Sequence, residues 1–338
     1  MKKNHLIIFL VATAIVSVAA AFLWAYYRQS AGEVVRVEIK DNRREAIAAA
    51  LSEAKVLDLW SALVFRFAAS ARGADKDFHS GVFLLKKGEG ARGLIAILRT
   101  RGRSEVTVTI PEGSDLRDLA VIFKKAGLVR DESDFFAVTG EPAKRGLIPA
   151  ITASDYPFLA DKPPDISLDG YLFPDTYRFF ADAEPKELVK KMLDNFESRT
   201  REIRSSMDGK MSAHEYLTIA SILEAEVPKS DDRKKVADIV LRRLKSGMPL
   251  QVDSSVNYAS GKSGLYTSAE DRARDSGWNT YKNRDLPLGP INNPGISSLY
   301  AALSPEPNDF WFFLTAPDGK VYYARTLEEH IANKKYLK

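Results

Sequence analysis

The chain has 338 residues, of which 45% are hydrophobic and 28% charged, a composition typical of folded proteins large enough for two or three domains. It contains no cysteine, which excludes disulfide scaffolds, thiolate metal sites, iron–sulfur clusters and cysteine nucleophiles. The net charge of +4 comes from interspersed acids and bases rather than from a basic arm, so we predict no nucleic-acid partner.

The histidines and glycines carry no signature of a metal or a nucleotide. The four histidines lie far apart in the chain and show no metal-ligand spacing. The glycine-rich fingerprint of dinucleotide folds and the phosphate-binding loop of nucleotide hydrolases are also missing from the sequence. We therefore predict no metal and no cofactor, and expect any chemistry to come from ordinary side chains.

The first predicted element is an apolar run over residues 6–27. At about 1.5 Å per residue, a helix of this length crosses the roughly 30 Å hydrocarbon core of a bilayer. Lys2 and Lys3 precede the run, which predicts a cytoplasmic tail (1–5), a single-pass transmembrane anchor in the cytoplasmic (inner) membrane and an exported, periplasmic body. A cleaved signal peptide is the alternative, because three alanines at 19–21 lie near a plausible processing site.

The segment 33–130 is predicted to be a small α+β module. Apolar alternation and helical spacing indicate its elements: strands at 34–39, 81–85 and 106–110, and helices at 43–57, 92–98 and 116–128. The first and last strand–helix pairs echo each other in sequence, which suggests a duplicated unit. A spacer and a glycan-binding module are both compatible with this pattern.

A proline-rich segment, 131–167, is predicted to be a linker region. The remaining residues, 168–338, form the predicted catalytic domain. Its clearest elements are an aromatic stretch at 168–179 and two helices, at 185–200 and 214–227, the second of which Pro228 ends.

The helix at 214–227 carries the carboxylate of greatest interest. Glu226 lies at the edge of an apolar stripe and in the last helical turn, and both desolvation and the negative end of the helix dipole should raise its carboxyl pKa. A raised pKa suits a general acid, although a helix-edge glutamate paired with a basic residue fits the same pattern. Glu224 lies about 200° around the helix, so the two carboxylates should not face one site.

Four long motifs make the chain similar to a known family. They are "LDGYLFPDTYRF" (168–179), "IASILEAEVPKSDDRKKVADIVLRRLKSGMPLQVDSSVNYA" (219–259), "WNTYKNRDLPLGPINNPGISSLYAAL" (278–303) and "FWFFLTAPDGKVYYARTLEEH" (310–330). Their order and spacing resemble the YceG-like family of endolytic murein transglycosylases. The resemblance is weaker over 34–129, where it implies a LysM-like module.

The resemblance implies roles for particular residues. The catalytic glutamate of the family falls on Glu226, and the first acidic residue of the same motif falls on Glu224. Substrate-binding or supporting roles are implied for residues of two further motifs: Gln251, Asp253, Asn279, Thr280 and Tyr281. Asp169 departs from the glutamate that many members carry, which puts the contact of that side chain in doubt.

The resemblance also implies a reaction. A lytic transglycosylase cleaves the MurNAc–GlcNAc bond within nascent glycan strands to give 1,6-anhydro-MurNAc ends, and one glutamate can act as both acid and base because the 6-hydroxyl of the substrate is the nucleophile. The expected partners are peptidoglycan strands, the cytoplasmic membrane and peptidoglycan synthases. A hydrolytic muramidase, in which Asp253 would act as the second carboxylate, and a non-catalytic glycan-binding scaffold are the alternatives.

Overall fold

The computed structural model describes residues 2–74, 77–99, 105–207, 209–262 and 267–337, so Met1 of the predicted cytoplasmic tail lies outside the described residues. The chain divides into two compact units. The N-terminal unit comprises Met1–Val108, Phe123–Leu128 and Arg178–Ala183, and the C-terminal unit comprises Thr109–Ile122, Val129–Tyr177 and Glu184–Lys338.

The fold combines helices with short two-stranded sheets, which confirms the predicted α+β class. The helices are α1 (Lys2–Tyr27), α2 (Arg44–Glu53), α3 (Leu59–Ala71), α4 (Ala91–Leu98), α5 (Leu116–Lys125), α6 (Glu132–Thr139), α7 (Pro185–Ser205), α8 (Ala213–Glu226), α9 (Ser230–Lys245), α10 (Asp253–Ser260), α11 (Ala269–Ala273), α12 (Ile296–Leu303) and α13 (Leu327–Asn333). The strands are β1 (Val34–Ile39), β2 (Gly81–Lys86), β3 (Glu105–Thr109), β4 (Thr176–Phe180), β5 (Phe312–Thr315) and β6 (Val321–Ala324).

The strands pair as β1 with β2, β3 with β4 and β5 with β6. In the first sheet, β1 and β2 are antiparallel, with Val34 opposite Lys86 and Ile39 opposite Gly81. Strands β1 and β3, which belong to the two strand–helix pairs that echo each other in sequence, therefore lie in different sheets.

The N-terminal unit has its own apolar core, which includes the end of α1. Ala25 and Tyr26 of α1 are buried in one cluster with residues of β1, α2, α3, β2 and α4. By length and composition, Ile7–Tyr27 is apolar enough to cross a membrane. Its last residues thus belong to the folded unit as well as to the apolar span.

The sequence pattern predicted no element at residues 59–71, where the structure has α3. This helix is apolar on both faces, so the contrast between a polar and an apolar side that marks most helices in sequence is weak here. Its start is nevertheless well defined, because the Asp58 carboxylate accepts a hydrogen bond from the Ser61 amide at 2.7 Å.

In the C-terminal unit, α8 is the central helix. The sequence predicted one buried stripe, but the structure buries every residue from Tyr216 to Leu223, including the polar Thr218 and Ser221. Helices α9, α10 and α12 all pack against α8. Ser221 accepts a hydrogen bond from the Ile291 amide at 3.1 Å, so a loop covers the face that the sequence pattern left open.

The N-terminal end of α8 is fixed by two buried aromatic side chains. The Nε2 atom of His214 lies 2.9 Å from the Leu288 carbonyl, which can only accept, so Nε2 carries the proton. The Nδ1 atom then accepts from the Tyr171 hydroxyl at 2.8 Å. Burial lowers the pKa of His214, which favours this neutral form.

The predicted linker, 131–167, contains the helix α6 and a short helical turn at Pro157–Leu159. Phe135, Ile151 and Leu159 are buried, and the whole segment clusters with the C-terminal unit.

Candidate active site

Glu226 is the last residue of α8, and the chain leaves the helix at Val227. One carboxylate oxygen of Glu226 accepts a hydrogen bond from the Ser254 amide at 3.2 Å, and its backbone carbonyl accepts one from the Thr315 hydroxyl at 2.7 Å. The residue is half-buried. The start of α10 and the strand β5 thus hold the end of α8 from two sides.

The surroundings of Glu226 act on its carboxyl group in opposite directions. Burial raises its pKa and is the largest effect, the hydroxyl and amide of Ser254 lower it, and the negative charge of Asp253 raises it. The net pKa is raised above the ordinary value of a glutamate. The sequence also predicted a raised pKa for Glu226. A raised pKa lets the carboxyl group retain its proton closer to neutral pH.

Asp253, the first residue of α10, lies beside this carboxylate. Its Oδ1 atom accepts hydrogen bonds from the hydroxyl groups of Tyr281 and Thr267, both at 2.7 Å, and lies 3.7 Å from the Arg272 guanidinium. These partners hold the Asp253 side chain against the loop that contains Tyr281. Burial and the hydrogen bond to Asp253 both raise the pKa of Tyr281, so its hydroxyl remains a donor.

Gln251 has a backbone conformation that is unusual for its type. Its φ is 52°, in the left-handed region, although it is not a glycine. The Gln251 amide donates to the Thr280 carbonyl at 3.2 Å, and the side chain is exposed two residues before Asp253. Such strain costs on the order of 1 kcal/mol and often accompanies function, which suits the substrate-contacting role implied for this residue.

Asn279 and Thr280 are 1% and 0% exposed, so both side chains lie beneath the surface. The Thr280 hydroxyl accepts from the Val252 amide at 3.0 Å. The Asn279 side chain donates to the Arg272 and Arg274 carbonyls at 3.0 and 2.7 Å. Together they fasten the loop that holds Asp253 to the segment before α10.

Glu224 faces a different set of partners from Glu226, as the helix geometry predicted. It pairs with Arg233 at 2.8 Å, and both side chains are only 7% exposed. Glu224 also accepts from the Gly295 amide at 3.0 Å and the Ser298 hydroxyl at 2.8 Å. It therefore caps the start of α12 and fixes α8 against α9 and α12, which is a structural role.

Asp169 stands where many family members carry a longer glutamate, and its shorter side chain still makes hydrogen bonds. It is 2% exposed and accepts from the Leu116 amide at 2.9 Å and the Tyr258 hydroxyl at 2.6 Å. Burial raises its pKa to about 8. Because Leu116 begins α5 and Tyr258 lies in α10, the shorter side chain still joins the two helices.

Several residues of the site gave no signal in the sequence. Motif spacing does not reveal contacts between distant segments. Such contacts are made by Ser254, Thr267 and Arg233. The aromatic side chains of Tyr258 and Trp278 are 5% and 3% exposed and pack in the interior.

Nothing among the described residues resembles a metal site, since no three histidine, aspartate or glutamate side chains come together there. The arrangement is instead one half-buried carboxyl group with a raised pKa, held by a backbone amide and flanked by a second carboxylate that has its own hydroxyl partners. Such a group can donate a proton to a leaving oxygen and accept one later.

The YceG-like family model matches residues 37–336. The chain belongs to the YceG-like family. This confirms the resemblance drawn from the motifs and extends it over both units.

Two curated relatives of the chain have the same name. A protein of Bacillus subtilis (strain 168), named endolytic murein transglycosylase, is 34% identical over 304 residues, which is 86% of this chain and 81% of the relative. A protein of Streptococcus pneumoniae (serotype 2, strain D39) with the same name is 31% identical over 291 residues, 80% of this chain but only 52% of the longer relative.

A crystal structure of a YceG-like protein from Listeria monocytogenes has the same fold. It superimposes with a TM-score of 0.59 at 30% sequence identity and covers 90% of this chain and 100% of its own.

Proposed function

We propose that this chain is an endolytic peptidoglycan lytic transglycosylase, with Glu226 as its acid/base. The observation that carries the proposal is the half-buried Glu226 carboxyl with a raised pKa, at the end of a helix whose packing leaves it little freedom. Membership of a family whose curated relatives are named endolytic murein transglycosylases supports the substrate class.

In the proposed reaction, protonated Glu226 donates its proton to the glycosidic oxygen as the bond from that oxygen to C1 of MurNAc breaks. The 6-hydroxyl of the same MurNAc attacks C1, and the Glu226 carboxylate takes the hydroxyl proton. The products are a free GlcNAc 4-hydroxyl and a 1,6-anhydro-MurNAc end. No water is consumed, and the glutamate is protonated again at the end of the cycle.

The amide of Ser254 serves the second half of this cycle. Its hydrogen bond to the Glu226 carboxylate stabilises the charged form that must exist between the two proton transfers. Burial favours the protonated form that begins the cycle. The balance between the two effects lets one residue be both acid and base.

Asp253 fits a supporting role better than that of a second catalytic carboxylate. The Oδ1 atom is already engaged by two hydroxyl groups, and its negative charge contributes to the raised pKa of Glu226. A retaining hydrolase would instead need this carboxylate free to attack the sugar about 5 to 5.5 Å from the acid.

We further propose that α1 anchors the chain in the cytoplasmic membrane with the body outside, and that cleavage there limits the elongation of nascent strands beside peptidoglycan synthases. The support is the apolar span Ile7–Tyr27, whose final residues are part of the folded N-terminal unit. The LysM-like character of that unit stays a prediction from the resemblance.

The product mass tests the reaction. The purified full chain in detergent is incubated with un-crosslinked glycan strands, and the fragments are analysed by mass spectrometry. Fragments with anhydro ends are expected. Fragments one water heavier would show hydrolysis and overturn the transglycosylase assignment, and uncut strands that remain bound to the protein would favour the scaffold.

A further inference from the structure

Helix α3 exposes an apolar face that no described residue of the N-terminal unit covers. The exposed fractions are 83% for Leu59, 41% for Trp60, 50% for Leu63 and 64% for Phe67. At 100° per residue these side chains lie within about a 100° sector of the helix. The opposite side of α3, including Val64 and Phe65, is buried in the core.

This face adjoins the membrane-spanning helix. The rings of Phe67 and Phe22 meet edge to face, with centroids 5.6 Å apart. The Arg28 guanidinium lies 3.4 Å from the Ser61 hydroxyl, near the other end of α3. Helix α3 therefore packs beside the last two turns of α1 and remains next to the apolar span.

The contact between Phe67 and Phe22 indicates how far α3 lies inside the end of the apolar span. Phe22 lies five residues before Tyr27, the end of the apolar span, which places it roughly 8 Å inside that end at the rise of an α-helix. Phe67 packs at the same level. Helices that lie in a membrane surface bury their apolar faces by about 5 to 10 Å, which matches this depth.

Arginines surround the end of α1, closer to the end of the apolar span than Phe22. The Arg28 guanidinium lies over the Trp24 ring at 4.8 Å, that of Arg72 over Tyr26 at 5.1 Å and that of Arg92 over Tyr27 at 5.5 Å. Aromatic rings and arginines with their charged ends toward lipid phosphates are typical of the membrane–water interface. The one charged residue of α3, Arg66, is also exposed.

We propose that the exposed face of α3 is inserted into the outer leaflet of the bilayer that α1 crosses, so that two helices attach the N-terminal unit to the membrane. The inference rests on the proposed anchoring of α1. The occupant of the face is lipid, because the face continues directly from a lipid-exposed helix and bears apolar side chains with a single cation. A second copy of the chain would cover the same face with protein.

The absence of cysteine makes a direct test possible, since a single introduced cysteine is the only labelling site. Full-length Leu63→Cys is labelled with bimane and reconstituted into vesicles of phosphatidylethanolamine and phosphatidylglycerol. Quenching is measured with iodide in the water and with doxyl-labelled lipids in the bilayer. Leu59→Cys, which replaces a more exposed side chain, repeats the measurement if the first variant does not fold.

Two matched variants calibrate the result. Ile15→Cys reports the middle of the apolar span. Lys40→Cys reports a position directly after β1 whose side chain is exposed. We expect iodide to quench the Leu63 label several-fold less than the Lys40 label, and the lipid quencher to act on Leu63 and Ile15 but not on Lys40.

The outcomes separate the two proposals. Lipid quenching at Ile15 together with full iodide access at Leu63 would overturn the inserted α3 while leaving the anchor. Absence of lipid quenching at Ile15 would overturn the anchor itself. Protection of the Leu63 label from both quenchers would show that protein covers the face, which also contradicts the proposal.

Discussion

The backbone amide of Ser254 lies 3.2 Å from the carboxylate of Glu226, although 28 positions separate the two residues in sequence. The contact joins the start of α10 to the end of α8. It gives the carboxylate a fixed orientation and a donor that favours its charged form, in an environment that otherwise favours the neutral form.

Replacement of Glu226 by glutamine should abolish catalysis without unfolding the protein. The amide oxygen can still accept from Ser254, but the side chain can no longer give or take a proton. The expected loss in kcat/KM is on the order of 10²- to 10⁴-fold, with glycan binding retained. Glycan release that stays at the wild-type level would refute the acid/base role, and unchanged thermal unfolding serves as the control for folding.

The rate should fall as the pH rises through the raised pKa of Glu226, because the leaving oxygen needs a protonated acid. Ser254→Ala removes a hydroxyl that lowers this pKa, so the alkaline limb of kcat/KM should move to higher pH. Ser260→Ala, at the end of the same helix, is the matched control and should leave the profile in place. A shift of the Ser254→Ala limb to lower pH would contradict the assignment.

Tyr281→Phe should reduce activity with little change in stability. The substitution removes one of the hydroxyl groups that hold Asp253 and leaves the ring in place. We expect about a tenfold lower kcat/KM, since a hydrogen bond to a charged acceptor contributes about 1.5 to 3 kcal/mol. Tyr336→Phe, a tyrosine near the C-terminal end that stacks on Tyr322, should leave steady-state kinetics unchanged. Equal kinetics for both variants would mean that the orientation of Asp253 does not matter.

Glu224→Gln should destabilise the C-terminal unit by about 3 to 5 kcal/mol, because it leaves the charge of Arg233 buried without its partner. The double variant Glu224→Gln/Arg233→Met should recover part of this loss in urea unfolding. The exposed pair of Lys235 and Glu306 offers a comparison, and Glu306→Gln should have a far smaller effect. A double variant less stable than Glu224→Gln would contradict the unpaired-charge explanation.

Asp169 should make stability depend on pH. Its folded pKa of about 8 lies above the value of about 3.9 in an unfolded chain, so its contribution is complete below pH 4 and is lost progressively as the pH rises to 8. The loss within that window is at most about 1.4 kcal/mol per pH unit. Asp169→Asn should flatten this part of the stability curve in unfolding experiments at several pH values. An identical pH dependence in the variant would show that Asp169 is ionised when folded.

Local sequence patterns predicted much of the fold. Alternation located β1 at its observed bounds, and helical spacing with a terminal proline located α8 to within one residue at each end. The missed helix α3 and the incompletely predicted burial of α8 have one cause. A helix that is apolar on both faces lacks the periodic contrast on which such predictions depend.

The candidate site, like the fold, could be predicted only in part from the sequence. The sequence by itself determined the apolar span, the helix position of Glu226 and the divergence of Glu224, because each follows from residue type and spacing along one element. The tertiary structure alone decided that Ser254 contacts Glu226, that Tyr281 and Thr267 hold Asp253, and that Asn279 and Thr280 are buried. Those relationships join residues far apart in sequence, and only the packing of separate helices and loops brings them within hydrogen-bonding distance.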